Sequence, residues 1–283
     1  MDLSTRILAI NPGSTTTKVA VYQNKKVTFL KTFRHPADEL NRFERVIDQL
    51  EYRKQLILDE LRDSDVYVDL IGAVIGRGGL LSPIPSGVYR VNEKMIKELR
   101  EPHTREHASN LGALIAFDIA KILPNAEAFI ADPVVVDELD PIARYSGHPD
   151  FDRISIFHAL NQKSIARTYA KSTMKEYENL NLIVVHLGGG ITVGAHKRGR
   201  VIDVNQGLDG DGPFSPERSG TLPAGALIKA AFSGKHTLPE MQNMLIGKGG
   251  MVAYLGTNDT YLVERGAKDG DRKSLEIMQA MAY

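Results

Sequence analysis

Two stretches decide how this chain is read: Asn11-Pro12-Gly13-Ser14-Thr15-Thr16-Thr17-Lys18 and, in the other half, His186-Leu187-Gly188-Gly189-Gly190-Ile191-Thr192. The first follows the apolar run Arg6 to Ile10 and leads into Lys18 to Tyr22. The second follows Leu182 to Leu187 and leads into Ile191 to His196. Turn residues between apolar runs predict a strand–turn–strand hairpin at each place, with a polar tip that carries glycine. Lacking a Cβ, the main chain at such a tip approaches an anion closely and turns N–H groups toward it. The first turn adds the hydroxyls of Ser14 to Thr17 and the charge of Lys18. One glycine-bearing hairpin is ordinary; one in each half predicts two related lobes closing over a phosphate chain from opposite sides.

Outward from the first hairpin, Lys26 to Phe33 is predicted as a third strand. Asp38 is expected to cap a helix carrying Leu40, Phe43, Ile47 and Leu50 at helical spacing. Leu70 to Ile75 and Ala126 to Ile130 are predicted as buried strands, the second ending at Asp132-Pro133, and Ala108 to Leu123 as an amphipathic helix. A polar stretch rich in Pro and Gly, Asp140 to Asp152, separates the halves. Beyond it, Ile154 to Tyr177 is expected to be helical, Val201 to Val204 a strand, and Pro223 to Phe232, Leu238 to Ile246 and Lys273 onward helices. The pattern is α/β, with lobes expected at 1–145 and 146–283. The last helical pattern, with Leu275, Met278 and Ala282 on one face, reaches Tyr283 without a stop signal, so the second lobe is expected to be incomplete at its C-terminus.

Lys plus Arg equals Asp plus Glu, 35 each, so no charge excess points to nucleic acid or an anionic membrane surface. Trp is absent, which disfavours a stacking platform for single strands. No window reaches the roughly 18 apolar residues of a membrane span, and Met1 to Arg6 does not read as a signal peptide. With no cysteine, disulfides and thiolate metal sites are excluded, and a cytoplasmic location is expected.

Asn11 to Lys18 resembles the first phosphate-binding motif of the acetokinase family, and Val184 to Gly190 its second. Gly76 to Leu81, His107 to Gly112, Asp132 to Asp137, Ser155 to Asn161 and Asp209 to Gly220 follow in the family's order, and are closer to its butyrate kinase branch than to acetate kinase. The resemblance covers essentially the whole chain. It implies the two-lobed actin-like ATPase (ribonuclease H-like) fold of the acetate/sugar-kinase/actin superfamily, with mixed sheets flanked by helices and a cleft between the lobes. It implies ATP-dependent, reversible, in-line phosphorylation of a short-chain carboxylate to an acyl phosphate, with Mg2+. It also implies a homo-oligomer, a dimer or larger.

By the same resemblance, Arg77 and Arg218 are the arginines that hold the carboxylate and the migrating phosphoryl group. Asp132 orients one of them, His158 donates to the phosphoryl oxygens, and His107 is a further active-site histidine beside the substrate-binding Gly78 and Gly79. Asn11, Ser14, Thr15, Thr16, Lys18, His186, Gly188, Gly189 and Gly190 are expected at the phosphates of ATP, with Asn11 and Asp132 holding Mg2+ through water. The chemistry agrees with these residue types. A short carboxylic acid is already ionised at neutral pH, so no base has to remove a proton. What remains is positioning and charge stabilisation on the transferred group, which the planar forks of two arginines supply well.

The resemblance also implies a continuation carrying a glycine-rich adenosine motif, a magnesium-associated glutamate and a terminal helix. None is found here, so weak ATP binding, little turnover and exposed apolar surface are expected of a chain ending at Tyr283. Arg77 meets Gly78-Gly79 directly, where acetate kinases carry two more residues, and a roomier acyl pocket is expected.

Three rival readings stay open on the residues. His103-Thr104-Arg105-Glu106-His107 fits the H-x-x-E-H pattern of a zinc peptidase using His103 and His107, although Pro102 leaves the motif in a first helical turn. A sugar or polyol kinase of the same superfamily would use Asp132 as base. A non-enzymatic relative in the actin or chaperone style is the third, and the arginine pair argues against both of the last two. Asp209-Gly210-Asp211-Gly212 fails as a calcium loop, because Gly207 and Arg218 fall where ligands belong.

Overall fold

The structure is a computed structural model that describes residues 6–101 and 106–283. The chain divides into two compact units, Met1–Val136 and Asp137–Tyr283.

The first unit is built on a six-stranded sheet in the order β3-β2-β1-β4-β6-β5. Its strands are β1 (Arg6–Pro12), β2 (Thr16–Gln23), β3 (Lys26–Arg34), β4 (Ile71–Gly76), β5 (Val88–Arg90) and β6 (Glu127–Ala131). The first three form an antiparallel meander, while β1, β4 and β6 run parallel as neighbours. Parallel neighbours need long crossovers. The connection from β4 to β6 passes through β5, α3 (Glu93–Arg100) and α4 (Asn110–Ile122). Helix α4 packs on the three parallel strands and is buried along most of its length, from Asn110 through Ala116. Its Leu111, Leu114, Ile115 and Ile119 join Leu8, Ile10, Val74 and Ile130 in the core. Each such side chain contributes about 1.5–3 kcal/mol by leaving water.

Strand β4 and helix α4 touch backbone to backbone. A Cβ on Gly76 would lie 2.0 Å from the Gly112 carbonyl oxygen, and one on Gly112 would lie 2.2 Å from the Arg77 oxygen. Only glycine at both positions lets the end of the strand approach the first turn of the helix this closely.

The helix expected from Asp38 is broken into three pieces. Helix α1 (Ala37–Leu40) is a single turn with Asp38 inside it, and a 3-10 turn (Val46–Gln49) then leads into α2 (Leu50–Asp63). A new start at Arg45 explains the break: its N–H donates to Asp48 Oδ2 at 2.9 Å, and the Val46 N–H donates to Glu106 Oε2 at 2.9 Å.

The second unit carries an antiparallel sheet of β7 (Asn181–Leu187), β8 (Ile191–Lys197) and β9 (Arg200–Val204), with α5 (Ala159–Ser172) packed on β7. Residues 137–140 are tied to this unit: Glu138 Oε2 lies 2.6 Å from buried Lys163 Nζ, and the Asp140 N–H donates to Ile202 O at 2.9 Å. Helix α5 is shorter than the expected Ile154 to Tyr177. Ile156 O accepts instead from Gly207 N at 2.8 Å, and Arg153 N donates to Arg144 O at 2.9 Å, so these backbone groups are engaged outside the expected helix. Two expected helices are found as α6 (Ala224–Ala231) and α7 (Leu238–Leu245). Beyond them, α8 (Met251–Leu255), α9 (Thr260–Lys268) and α10 (Arg272–Ala282) gather around Met251, Val263 and Ile277. Asp259 and Asp271 cap the last two by accepting backbone N–H groups of their first turns. One face of β7 is bare, with Ile183 69% and Leu187 74% exposed. Among the described residues no helix is long and apolar enough to cross a membrane.

Candidate active site

In the first unit, Ile10 pairs with Gly76 and Gly76 with Ile130, so β1, β4 and β6 end side by side. Asn11, Arg77 and Asp132 therefore lie at the carboxyl ends of three adjacent parallel strands, the edge at which open α/β sheets bind ligands. Arg77 is half-buried, its N–H donating to Ile10 O at 2.9 Å. Its guanidinium has no hydrogen-bond or ion-pair partner among the described residues, and burial alone pulls its pKa below the ordinary value.

Gly78 and Gly79 have a packing role of their own. A Cβ on Gly78 would lie 2.5 Å from Pro133 Cβ, and one on Gly79 2.6 Å from Asn110 Cα. Asn110 Oδ1 then accepts the Leu80 N–H at 2.9 Å, fixing the path of the chain past Arg77.

Asp132 is buried, with φ at +36°, a region that Asp tolerates better than most side chains. Its Oδ1 accepts from Ser86 Oγ at 2.6 Å and from Gly87 N at 2.8 Å. His107 precedes α4, and its Nδ1 accepts the Ser109 N–H at 3.1 Å, which leaves the ring proton on Nε2. Glu106, the glutamate of the H-x-x-E-H pattern, is engaged elsewhere: Arg45 Nε donates to its Oε1 at 2.7 Å, and the Val46 N–H to its Oε2. His103 lies outside the described residues.

The turn between β1 and β2 closes through Gly13 N donating to Thr16 O at 2.7 Å. Asn11 and Lys18 sit opposite each other across the hairpin, both exposed, as are Ser14 and Thr15, while Thr16 is half-buried. Thr17 departs from expectation. The residue is buried, and its hydroxyl faces Arg53 Nη1 at 3.1 Å and His35 Nε2 at 2.8 Å, away from any ligand of the turn. Burial first, and then the charge of Arg53, lower the His35 pKa to about 4, so its ring is neutral at neutral pH.

Arg53 is a residue the sequence reading missed. It is 1% exposed and donates to Gly13 O at 2.8 Å, Ser14 O at 3.0 Å, Thr16 O at 3.3 Å and Gln49 Oε1 at 2.7 Å. The available signal was its place on the buried stripe Leu50, Arg53, Ile57, Leu61 of α2, where a charge needs a polar reason to be.

In the second unit, His158 stands at the start of α5 and His186 in β7, their rings stacked 3.7 Å apart and 5° from parallel. His158 Nδ1 lies 3.0 Å from Thr192 Oγ1, and His186 Nδ1 2.8 Å from Asn161 Nδ2. Gly188, Gly189 and Gly190 form the bend from β7 to β8. Gly189 O accepts from Ser215 Oγ at 2.7 Å and from Glu217 N at 3.1 Å, which ties the bend to the segment carrying Arg218. The Arg218 guanidinium lies over Gly190 and donates to Gly207 O. The second unit thus gathers His158, His186, the glycine bend and Arg218 in one place.

A Cβ on Gly190 would lie 2.0 Å from Arg218 Nη1, the movable end of a flexible side chain. Gly190→Ala is therefore expected to displace Arg218 while costing less than about 1 kcal/mol of stability, with kcat falling at least about tenfold. Thermal unfolding and turnover measured on the same preparation check this, and unchanged turnover would refute it.

Crystal structures give the class of this architecture. The acetate kinase of Porphyromonas gingivalis superimposes with a TM-score of 0.74 at 19% identity, over 98% of this chain and 76% of that one. A propionate kinase from Francisella tularensis gives 0.72 at 19% identity, over 98% and 77%. The fold is theirs, the two-lobed actin-like α/β fold. Butyrate kinase 1 of Clostridium acetobutylicum is 53% identical over 278 residues, 98% of this chain and 78% of that protein. The profile of the acetokinase family matches residues 152–282. The chain belongs to the acetokinase family, kinases that phosphorylate a carboxylate.

Proposed function

We propose that this chain transfers the terminal phosphoryl group of ATP in line to a short-chain carboxylate, butyrate or a branched analogue, giving an acyl phosphate reversibly. The observation that carries the proposal is Arg77: a guanidinium withdrawn from water, without a partner among the described residues, at the carboxyl ends of three parallel strands. Burying a charge without a counter-ion is costly, and an anionic substrate removes that cost. Likeness to a butyrate kinase supports the four-carbon acid.

Arg77 grips the carboxylate, with Gly78, Gly79 and His107 around it and Asp132 beside it. His158 and Arg218 present donors to the transferred group. The main chain at Gly188 to Gly190, with His186, and the side chains of Asn11, Ser14, Thr15, Thr16 and Lys18 bind the phosphates of ATP. Among the described residues no cluster of three or more His, Asp or Glu forms a metal cage. A Mg2+ carried in on ATP would be held through water by Asn11 and Asp132, the usual manner for this ion. When bound, it neutralises charge on the phosphates.

Trapping acyl phosphate with hydroxylamine, across acetate, butyrate, isobutyrate, glycerol and glucose, tests the proposal. Product with the four-carbon acids is expected. A clear preference for acetate would overturn the choice of acid, and turnover of a polyol alone would overturn the reaction.

A further inference from the structure

A buried chain of polar side chains runs through the second unit to His158. Tyr177 is 3% exposed, His196 2% and Gln162 0%. The Tyr177 hydroxyl lies 2.6 Å from His196 Nδ1, and His196 Nε2 lies 2.9 Å from Gln162 Oε1. Gln162 Nε2 lies 3.1 Å from Thr192 O and 2.9 Å from Thr192 Oγ1, which in turn lies 3.0 Å from His158 Nδ1. We propose that Gln162 and Thr192 are positioning residues that hold the ring proton of His158 on Nε2, making that nitrogen a hydrogen-bond donor to the phosphoryl group.

The direction of every bond follows from one fixed acceptor. A backbone carbonyl only accepts, so the end of Gln162 that meets Thr192 O is the amide nitrogen. Its Oε1 therefore faces His196 and requires a proton on His196 Nε2. Burial, with the Lys163 charge adding to it, lowers the His196 pKa to about 4, so this ring carries one proton at neutral pH. Its Nδ1 is then bare and accepts from the Tyr177 hydroxyl. At the other end, Gln162 Nε2 donates to Thr192 Oγ1 and takes up one of its lone pairs. The Thr192 hydroxyl has no third partner among the described residues, so its proton goes to His158 Nδ1. A ring nitrogen that accepts an O–H carries no proton of its own, and the His158 proton is on Nε2.

An interior of this size is filled as well by apolar side chains. The polar chain instead specifies a hydrogen-bonding direction, and it does so without exposing any of its members. The relay rests on the reading that His158 meets the phosphoryl group, and its test separates the two.

The test is 15N NMR of histidine-labelled protein, with His158→Gln assigning the resonance among eight histidines. The wild type is expected to show His158 protonated at Nε2, with Nδ1 shifted by an accepted hydrogen bond. Thr192→Ser keeps this pattern. Thr192→Val loses the shift and populates the form protonated at Nδ1. Gln162→Leu, which frees the reserved lone pair of Thr192, populates the same form. A wild-type His158 protonated at Nδ1, or a Thr192→Val spectrum indistinguishable from the wild type, would overturn the relay. In turnover, Thr192→Val is expected to lower kcat about 10²-fold with KM for ATP little changed, and Thr192→Ser to restore it. Full kcat in His158→Gln would overturn the role of His158 in transfer, while the NMR result would still decide its tautomer.

Discussion

Replacing Arg77 with Gln is expected to lower kcat/KM for acyl phosphate formation about 10²- to 10³-fold, the range seen when one strong donor to a developing charge is lost. Gln keeps two N–H groups on a planar end but loses the charge and the five-donor fork. Arg77→Lys restores the charge as a point and is expected to recover only part of the rate, because a carboxylate is gripped by two parallel bonds. The same variants should not weaken the fold. The Arg77 guanidinium has no partner among the described residues, and burial disfavours its charged form. Removing it leaves no orphaned acceptor and relieves a desolvation cost, so the urea midpoint is expected to stay constant or rise. Loss of activity with retained stability is the mark of a functional group held at an energetic disadvantage. A falling midpoint would show that Arg77 serves packing, and unchanged kcat/KM would remove it from the site.

Gln162 and Thr192 show why part of the site was hidden in the sequence. Gly188 to Gly190 and Gly13 announce themselves, because a turn that must approach an anion admits few residue types. Gln162, four residues into a helical pattern, and Thr192, at the start of a strand, are ordinary at both places. Their meaning comes from the Gln162 amide of α5 reaching Thr192 of β8, a long-range contact that no local period encodes. The strands were legible because alternating or continuous apolar runs reach from one turn to the next. The broken helix after Asp38 was not: its apolar spacing is helical, but the helix restarts where Glu106, some sixty residues later, accepts the Val46 N–H. Thr17 was misjudged for the same reason. Within a run of hydroxyls, the strand's alternation turns one of them inward, toward an arginine contributed by α2, far along the chain.

That arginine carries the largest expected effect on stability. Arg53→Met is expected to cost about 3 kcal/mol or more, since buried acceptors left without donors cost about 1–3 kcal/mol each. Met fills much of the same volume, so the loss is one of hydrogen bonds: to Gly13 O, Ser14 O, Thr16 O and Gln49 Oε1. Exposure of the turn lets water replace some of them, which holds the figure below the sum. Burial lowers the Arg53 pKa to about 10, so the group remains a cation at neutral pH, and among the described residues no carboxylate pairs with it. Its bonds also orient the turn. In a trans peptide the C=O and the following N–H point opposite ways. Drawing Gly13 O and Ser14 O inward therefore turns the N–H groups of Ser14 and Thr15 outward, the arrangement that receives an anion. Arg53→Met is accordingly expected to weaken ATP binding beyond what its unfolded fraction explains, and Arg53→Lys, with a cation but fewer donors, to fall between. Urea unfolding followed by circular dichroism, with calorimetric titration of ATP under conditions where each variant is folded, separates the two effects. Unchanged ATP affinity in a folded Arg53→Met protein would confine the residue to stability, and an unchanged midpoint would show that the turn keeps its shape without it.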